Sequence, residues 1–130
     1  MKKLLIYLSI IIVIFAVLFI INQQSQRTAN ESYAEPAERL YQTTPDRLEP
    51  ATREQLHDEN YQNIILRGEL DERLQNGESL FVYFFSPLCP YCVESTPILN
   101  EIANEVGVEI RQLNVLEDPE AFNHYSFEST

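Results

Sequence analysis

Seventeen of the eighteen residues 4–21 are apolar, with Ser9 the exception, and no later stretch repeats that density. A helix over this run is about 27 Å long at a rise of roughly 1.5 Å per residue, close to the hydrocarbon thickness of a bilayer. It also exceeds the apolar part of a usual signal peptide, and the residues that follow, Asn22, Gln23, Gln24, Ser25, Gln26 and Arg27, lack the small side chains that cleavage needs. The pattern therefore favours a retained anchor over a removed signal. A buried core helix is disfavoured, because no other segment could surround so uniformly apolar a stretch. Lys2 and Lys3 precede the run and only Arg27 follows it closely. The positive-inside rule then predicts a cytoplasmic tail at residues 1–3, a single-pass anchor in membrane lipid at 4–21, and an extracytoplasmic remainder on the outer side of the cell membrane.

Residues 22–60 are rich in Gln, Asn, Ser, Thr and Glu, with Pro36, Pro45 and Pro50 spaced among them. They read as an extracytoplasmic linker, with a root-mean-square reach of roughly 35 Å if flexible. A second reading is that pieces such as residues 38–42 form a short helix packed on the domain. From Tyr61 the texture changes, marking a compact part over 61–130. Ile64, Ile65 and Leu66 predict a short strand; Leu70 and Leu74 follow at helical spacing until Asn76 and Gly77 supply a stop. Leu80 to Phe85 is a continuous apolar and aromatic run, expected as a strand buried on both faces. Ile98, Leu99, Ile102 and Val106 then share one helical face, opposite Asn100, Glu101, Asn104 and Glu105, until Gly107 ends the segment. Residues 108–116 predict another strand. Strands alternating with helices of these lengths point to an α/β layer architecture.

Charge narrows the partners. The chain of 130 residues carries a formal net charge of −11, and after Ile21 seven Arg stand against 20 acids. A nucleic-acid surface needs clustered Lys and Arg, so nucleic acid is not expected as a partner. The same excess of acid discourages adhesion to anionic lipid heads.

The two cysteines, Cys89 and Cys92, stand as Cys-Pro-Tyr-Cys at the joint between the apolar strand and the amphipathic helix. Unpaired N–H groups and partial positive charge at a helix start favour a thiolate at the first cysteine, so Cys89 is the candidate nucleophile. Two intervening residues bring Cys92 within bonding reach, where it can resolve a mixed disulfide on Cys89. Pro90 suits the first helical turn, where its missing N–H loses no partner. Three readings compete. A structural disulfide closing so small a loop constrains the unfolded chain little. A metal site needs more ligands than are grouped here, since His57 and His124 lie far from the cysteines and read as surface or packing residues. Thiol–disulfide exchange is the leading reading, with the Cys89–Cys92 pair as its only redox centre and no cofactor or metal. The rival class is a non-enzymatic tethered accessory or binding protein whose cysteines close a small loop, or an inactive remnant.

Residues 80–97 resemble the thioredoxin superfamily, in which a buried strand leads to a Cys-x-x-Cys at the start of a long helix. The best-matching branch is similar to the membrane-anchored, extracytoplasmic thioredoxin-like proteins of bacteria. The Pro90-Tyr91 dipeptide resembles that of glutaredoxins, and Pro97 stands where thioredoxins commonly carry a helix proline. The resemblance covers roughly the last 70 residues. It implies an incomplete thioredoxin-like fold, the amino-terminal β-α-β-α-β part, preceded by a single transmembrane helix. It also implies an oxidoreductase that acts on protein thiols or disulfides and exchanges electrons with a membrane redox partner or another acceptor. Pro90, Tyr91 and Pro97 would support Cys89 and Cys92. Two departures stand out. Where thioredoxins place a buried Asp six residues before the first cysteine, this chain has Tyr83, so proton handling is expected to pass through water or Glu94. The segment from Tyr125 to Thr130 resembles the approach to the cis-proline loop of the family, which implies a truncated form whose core edge is bared beside Phe81, Tyr83 and Phe85.

Overall fold

The computed structural model describes residues 1–125 and divides the chain into two compact units, Met1–Ser32 and Tyr33–Thr130. The first is the greater part of helix α1 (Lys2–Tyr41), whose apolar side chains over residues 4–21 are exposed. It is the one helix among the described residues long and apolar enough to cross a membrane.

The second unit is mixed α/β, built on a small parallel sheet. Strands β1 (Phe81–Phe85) and β2 (Ile110–Asn114) pair in parallel, Phe81 opposite Ile110 and Phe85 opposite Asn114. Strand side chains alternate between faces, so each face of β1 feeds a different core. Tyr83 and Phe85 join a cluster with Ala37, Leu40, Tyr41, Leu48, Leu56, Tyr61 and Ile64. Val82 and Phe84 join one with Ile65, Leu70, Leu113 and Ala121. The second cluster is covered by α3 (Arg67–Gln75) and α5 (Ala121–His124), the latter held to α3 where Asp71 accepts from Tyr125 at 2.8 Å and lies 3.0 Å from His124 Nε2. Burial on both faces, expected for the strand, holds at Phe85 but not at its exposed first residue, Phe81.

Three expectations change in the structure. The strand expected at residues 64–66 is reduced to a single parallel bridge, Ile64 to Gln112, because Leu66 already caps α3 and only Asn63 and Ile65 exchange backbone bonds with Gln112. The segment 22–60 is not a tether throughout. Helix α1 continues to Tyr41, and a 3₁₀ turn (Pro45–Arg47), α2 (Pro50–Glu54) and a second 3₁₀ turn (Glu59–Tyr61) carry Leu48, Leu56 and Tyr61 into the core. Its apolar residues are few but widely spaced, so each reaches the same cluster from a separate turn. The long helix α4 (Pro90–Val106) exists as expected and ends at Gly107, which takes the left-handed φ of 71° that only glycine adopts without strain. Its packed face, however, is the small and polar one. Thr96 and Ala103 are buried and Asn100 donates to the Asn60 carbonyl at 2.9 Å, whereas Ile98, Ile102 and Val106 are largely exposed. The expected approach to a cis-proline loop falls, apart from Tyr125, outside the described residues.

Strand β2 is locked by buried amides. Gln112 donates to the Asn60 carbonyl at 2.7 Å, and Asn114 donates to the hydroxyls of Tyr41 and Thr52, each at 3.1 Å. These bonds make the segment before Tyr61 a structural part of the sheet. Removing residues 1–60 would delete five of the eight buried residues of the first cluster. At roughly 1.5–3 kcal/mol per large apolar side chain, that exceeds the margin of a typical domain. A chain lacking residues 1–32 should therefore keep a cooperative thermal transition by circular dichroism, and one lacking residues 1–60 should show none.

Burial pushes the Tyr41 hydroxyl up from 10.0 to about 12, with Glu117 adding to the rise and the bond from Asn114 opposing it. A phenol whose folded value is raised favours the folded state below its unfolded value, and that contribution is lost as pH climbs through the folded one. Stability should thus fall between about pH 10 and about pH 12. Tyr41→Phe should weaken this alkaline loss while costing about 1 kcal/mol at neutral pH through the lost hydrogen bond, as read by urea unfolding across pH.

Candidate redox site

The site begins with a turn. Ser86 accepts twice, its hydroxyl from the Leu88 N–H at 3.2 Å and its carbonyl from the Cys89 N–H at 3.1 Å, so the chain leaving β1 bends sharply and delivers Cys89 to the start of α4. Cys89 is the N-cap residue. Its backbone is extended and its sulfur accepts the Cys92 N–H at 3.3 Å, the place usually taken by a Ser, Thr or Asp oxygen. Pro90 occupies the first helical position, as the sequence predicted.

Cys92 lies one turn on, within hydrogen-bonding reach of Cys89 and Tyr83, and packs against the first core cluster. Both thiols are free and partly buried. Burial pushes the Cys92 thiol up, but hydrogen bonding with Cys89, with the Ser86 backbone and with Tyr83 outweighs it and leaves the thiol below its ordinary value. Sequence reasoning placed the favoured anion on Cys89; the downward displacement found here belongs to Cys92. The residues behind it were not singled out in advance. Thr96 is fully buried, donates to the Cys92 carbonyl at 2.6 Å and lies 3.5 Å from the Tyr83 hydroxyl. A threonine four residues after the second cysteine, on the helix face turned to the strand, is the signal that could have found it.

The other sequence-predicted residues lie around this pair. Tyr91 is 80% exposed and Leu88 67%, giving Cys89 an apolar rim. Pro97 is inside α4 on its exposed side, and Glu94 is exposed. His57 packs on Tyr33 with ring centroids 5.2 Å apart, and His124 pairs with Asp71, so neither histidine reaches the cysteines.

No family model matches the chain, and no solved structure matches it. Among curated proteins, a thioredoxin from Methanocaldococcus jannaschii is 39% identical over 44 residues, 32% of this chain and 52% of the relative. The chain thus spans about half the length of this relative. Together with the Cys89 and Cys92 pair, the match supports a thioredoxin-like relation.

A thiol whose folded value is depressed stabilises the fold above its unfolded value, and the contribution fades as pH falls through the folded one. The reduced chain should therefore gain stability as pH rises towards the ordinary thiol value of 9.0. Cys92→Ser should flatten that rise, as measured by urea midpoints at pH 6 and about pH 9 under reducing conditions.

Proposed function

We propose that the chain is a membrane-tethered thiol–disulfide oxidoreductase acting on protein disulfides or thiols outside the cytoplasmic membrane, with Cys89 attacking and Cys92 resolving. The observation that carries this reading is the capped helix start. Cys89 presents its sulfur at the rim with a backbone N–H behind it, and Cys92 follows one turn later within hydrogen-bonding reach of the first sulfur. The thioredoxin match supports the reaction class. The apolar helix and the two lysines before it support the tether and its orientation.

The chemistry follows from the geometry. As a thiolate, Cys89 attacks one sulfur of a substrate disulfide; a bond forms between Cys89 and that sulfur, and the other substrate sulfur leaves and takes a proton from water. Cys92 then attacks the Cys89 sulfur, forming the intramolecular disulfide and releasing the second substrate thiol. Two electrons pass from the pair to the substrate, and the reverse sequence oxidises a substrate dithiol. Pro90 fixes the first turn without sacrificing a hydrogen bond, so both sulfurs stay at one helix end through the cycle. Tyr91 and Leu88 offer apolar contact to the polypeptide flanking a substrate cysteine.

Full-length protein in detergent, reduced beforehand, should accelerate cleavage of insulin disulfides. Cys89→Ser should abolish the effect, and Cys92→Ser should accumulate a mixed disulfide with insulin visible on a non-reducing gel. Wild-type protein without turnover, or Cys89→Ser with undiminished turnover, would overturn the proposal.

A further inference from the structure

The resolving cysteine must lose its proton before it can attack, and a carboxylate is the obvious acceptor. None of the described groups packed against Cys92 is one. The titratable groups facing it are Cys89 on its own helix and Tyr83 from β1, with Tyr61 from the second 3₁₀ turn behind Tyr83; Glu94 is exposed. Tyr83 reaches this position because strand alternation puts it on the same face as Phe85, and its ring stacks on Phe85 with centroids 5.9 Å apart. Its hydroxyl lies 3.5 Å from Thr96 Oγ1. Thr96 has one hydroxyl proton, and the 2.6 Å bond to the Cys92 carbonyl takes it. The phenol proton of Tyr83 is thus left for the Thr96 oxygen or for the Cys92 sulfur, with which its hydroxyl is in hydrogen-bonding reach.

We propose that Tyr83 is the hydrogen-bond donor that holds the Cys92 sulfur as a thiolate for the resolving step, in the place where thioredoxins carry a buried aspartate. The inference rests on the exchange reading above and specifies its proton handling. Burial pushes the Tyr83 hydroxyl up, Thr96 opposes the rise and Cys92 adds to it, while the Cys92 thiol is displaced downward, so the phenol holds its proton more tightly as the sulfur releases its own more readily. A neutral phenol is a donor and not a base. The Cys92 proton therefore leaves to water, Tyr83 keeps its own, and the Cys92 thiolate forms its bond to Cys89 as the bond from Cys89 to the substrate sulfur breaks.

The test uses the full-length chain in detergent with Cys89 loaded by Ellman's reagent, so that attack by Cys92 releases the coloured thiolate. The release rate is followed across pH for wild type and Tyr83→Phe, which keeps the stacked ring. Tyr83→Phe should move the midpoint of the profile about one unit upward and slow release about tenfold below it, with the two rates converging at high pH. Superposed profiles would overturn the proposal. A purely structural role for Tyr83 would lower the rate equally at every pH, which would overturn it too. Should Tyr83→Phe not fold, iodoacetamide alkylation of Cys92 in Cys89→Ser and Cys89→Ser/Thr96→Val chains serves instead. Thr96→Val frees the phenol to bond sulfur alone, so the alkylation midpoint should stay or fall, and a rise would overturn the proposal. A wild-type chain that turns over insulin while Tyr83→Phe keeps the wild-type profile defeats this inference alone; a wild-type chain whose Cys92 never displaces the loaded thiolate defeats the exchange reading and this inference with it.

Discussion

A helix start leaves backbone N–H groups without partners, and in α4 one of them is met by a sulfur rather than an oxygen. That bond has two consequences at once. It fixes where the helix begins, and it fixes the direction in which the first cysteine faces. Sulfur is a weaker acceptor than a hydroxyl or carboxylate oxygen, so the cap contributes less to the helix than Ser or Asp would. The local structure compensates through Pro90, whose fixed φ favours the first turn, and through the Ser86 turn that brings the chain in at the required angle. A reactive atom therefore doubles as a structural one, and its bonding must survive each change of its covalent state.

Behind that cap, the alternation of β1 sorts its side chains into two environments. Val82 and Phe84 pack in a mainly apolar layer under α3 and α5. Tyr83 and Phe85 face a layer into which α1, α2, α4 and β2 also bring hydroxyls, an amide and a thiol. Polar groups in such a layer are tolerable only when bonded, and the short contacts of Thr96, Asn100, Gln112 and Asn114 meet that demand. The site inherits its order from this packing: Cys92 sits where it does because the helix lies close to the strand, and it lies close because Thr96 and Ala103 are small.

Periodicity and punctuation located α3, β1 and α4, because each carries a local signal: Leu spacing with an Asn-Gly stop, an aromatic run, and a helix closed by Gly107, after which β2 follows. The cysteine pair and Pro90 were legible for the same reason. What was not legible depends on partners distant in sequence. The apolar stripe Ile98, Ile102 and Val106 marks the exposed side of α4, since close approach to the sheet selects small residues and an amide instead. Residues 33–61 look too polar to fold, yet Tyr41, Thr52, Leu56 and Tyr61 each find a partner or a cluster across the sheet. The part of Tyr83 and Thr96 is hidden likewise, because only the pairing of strand and helix places a phenol, a hydroxyl and a sulfur side by side.

The amide of Asn114 bonds a hydroxyl 73 positions earlier in the chain. A contact of that span cannot form while the polypeptide is still being made up to β2, so ribosomal synthesis delivers the aromatic strand Phe81–Phe85 well before the element that pairs with it. Until β2 follows, the edge of Phe81–Phe85 that it covers lacks its parallel partner, and only the face turned to the preceding residues can be packed.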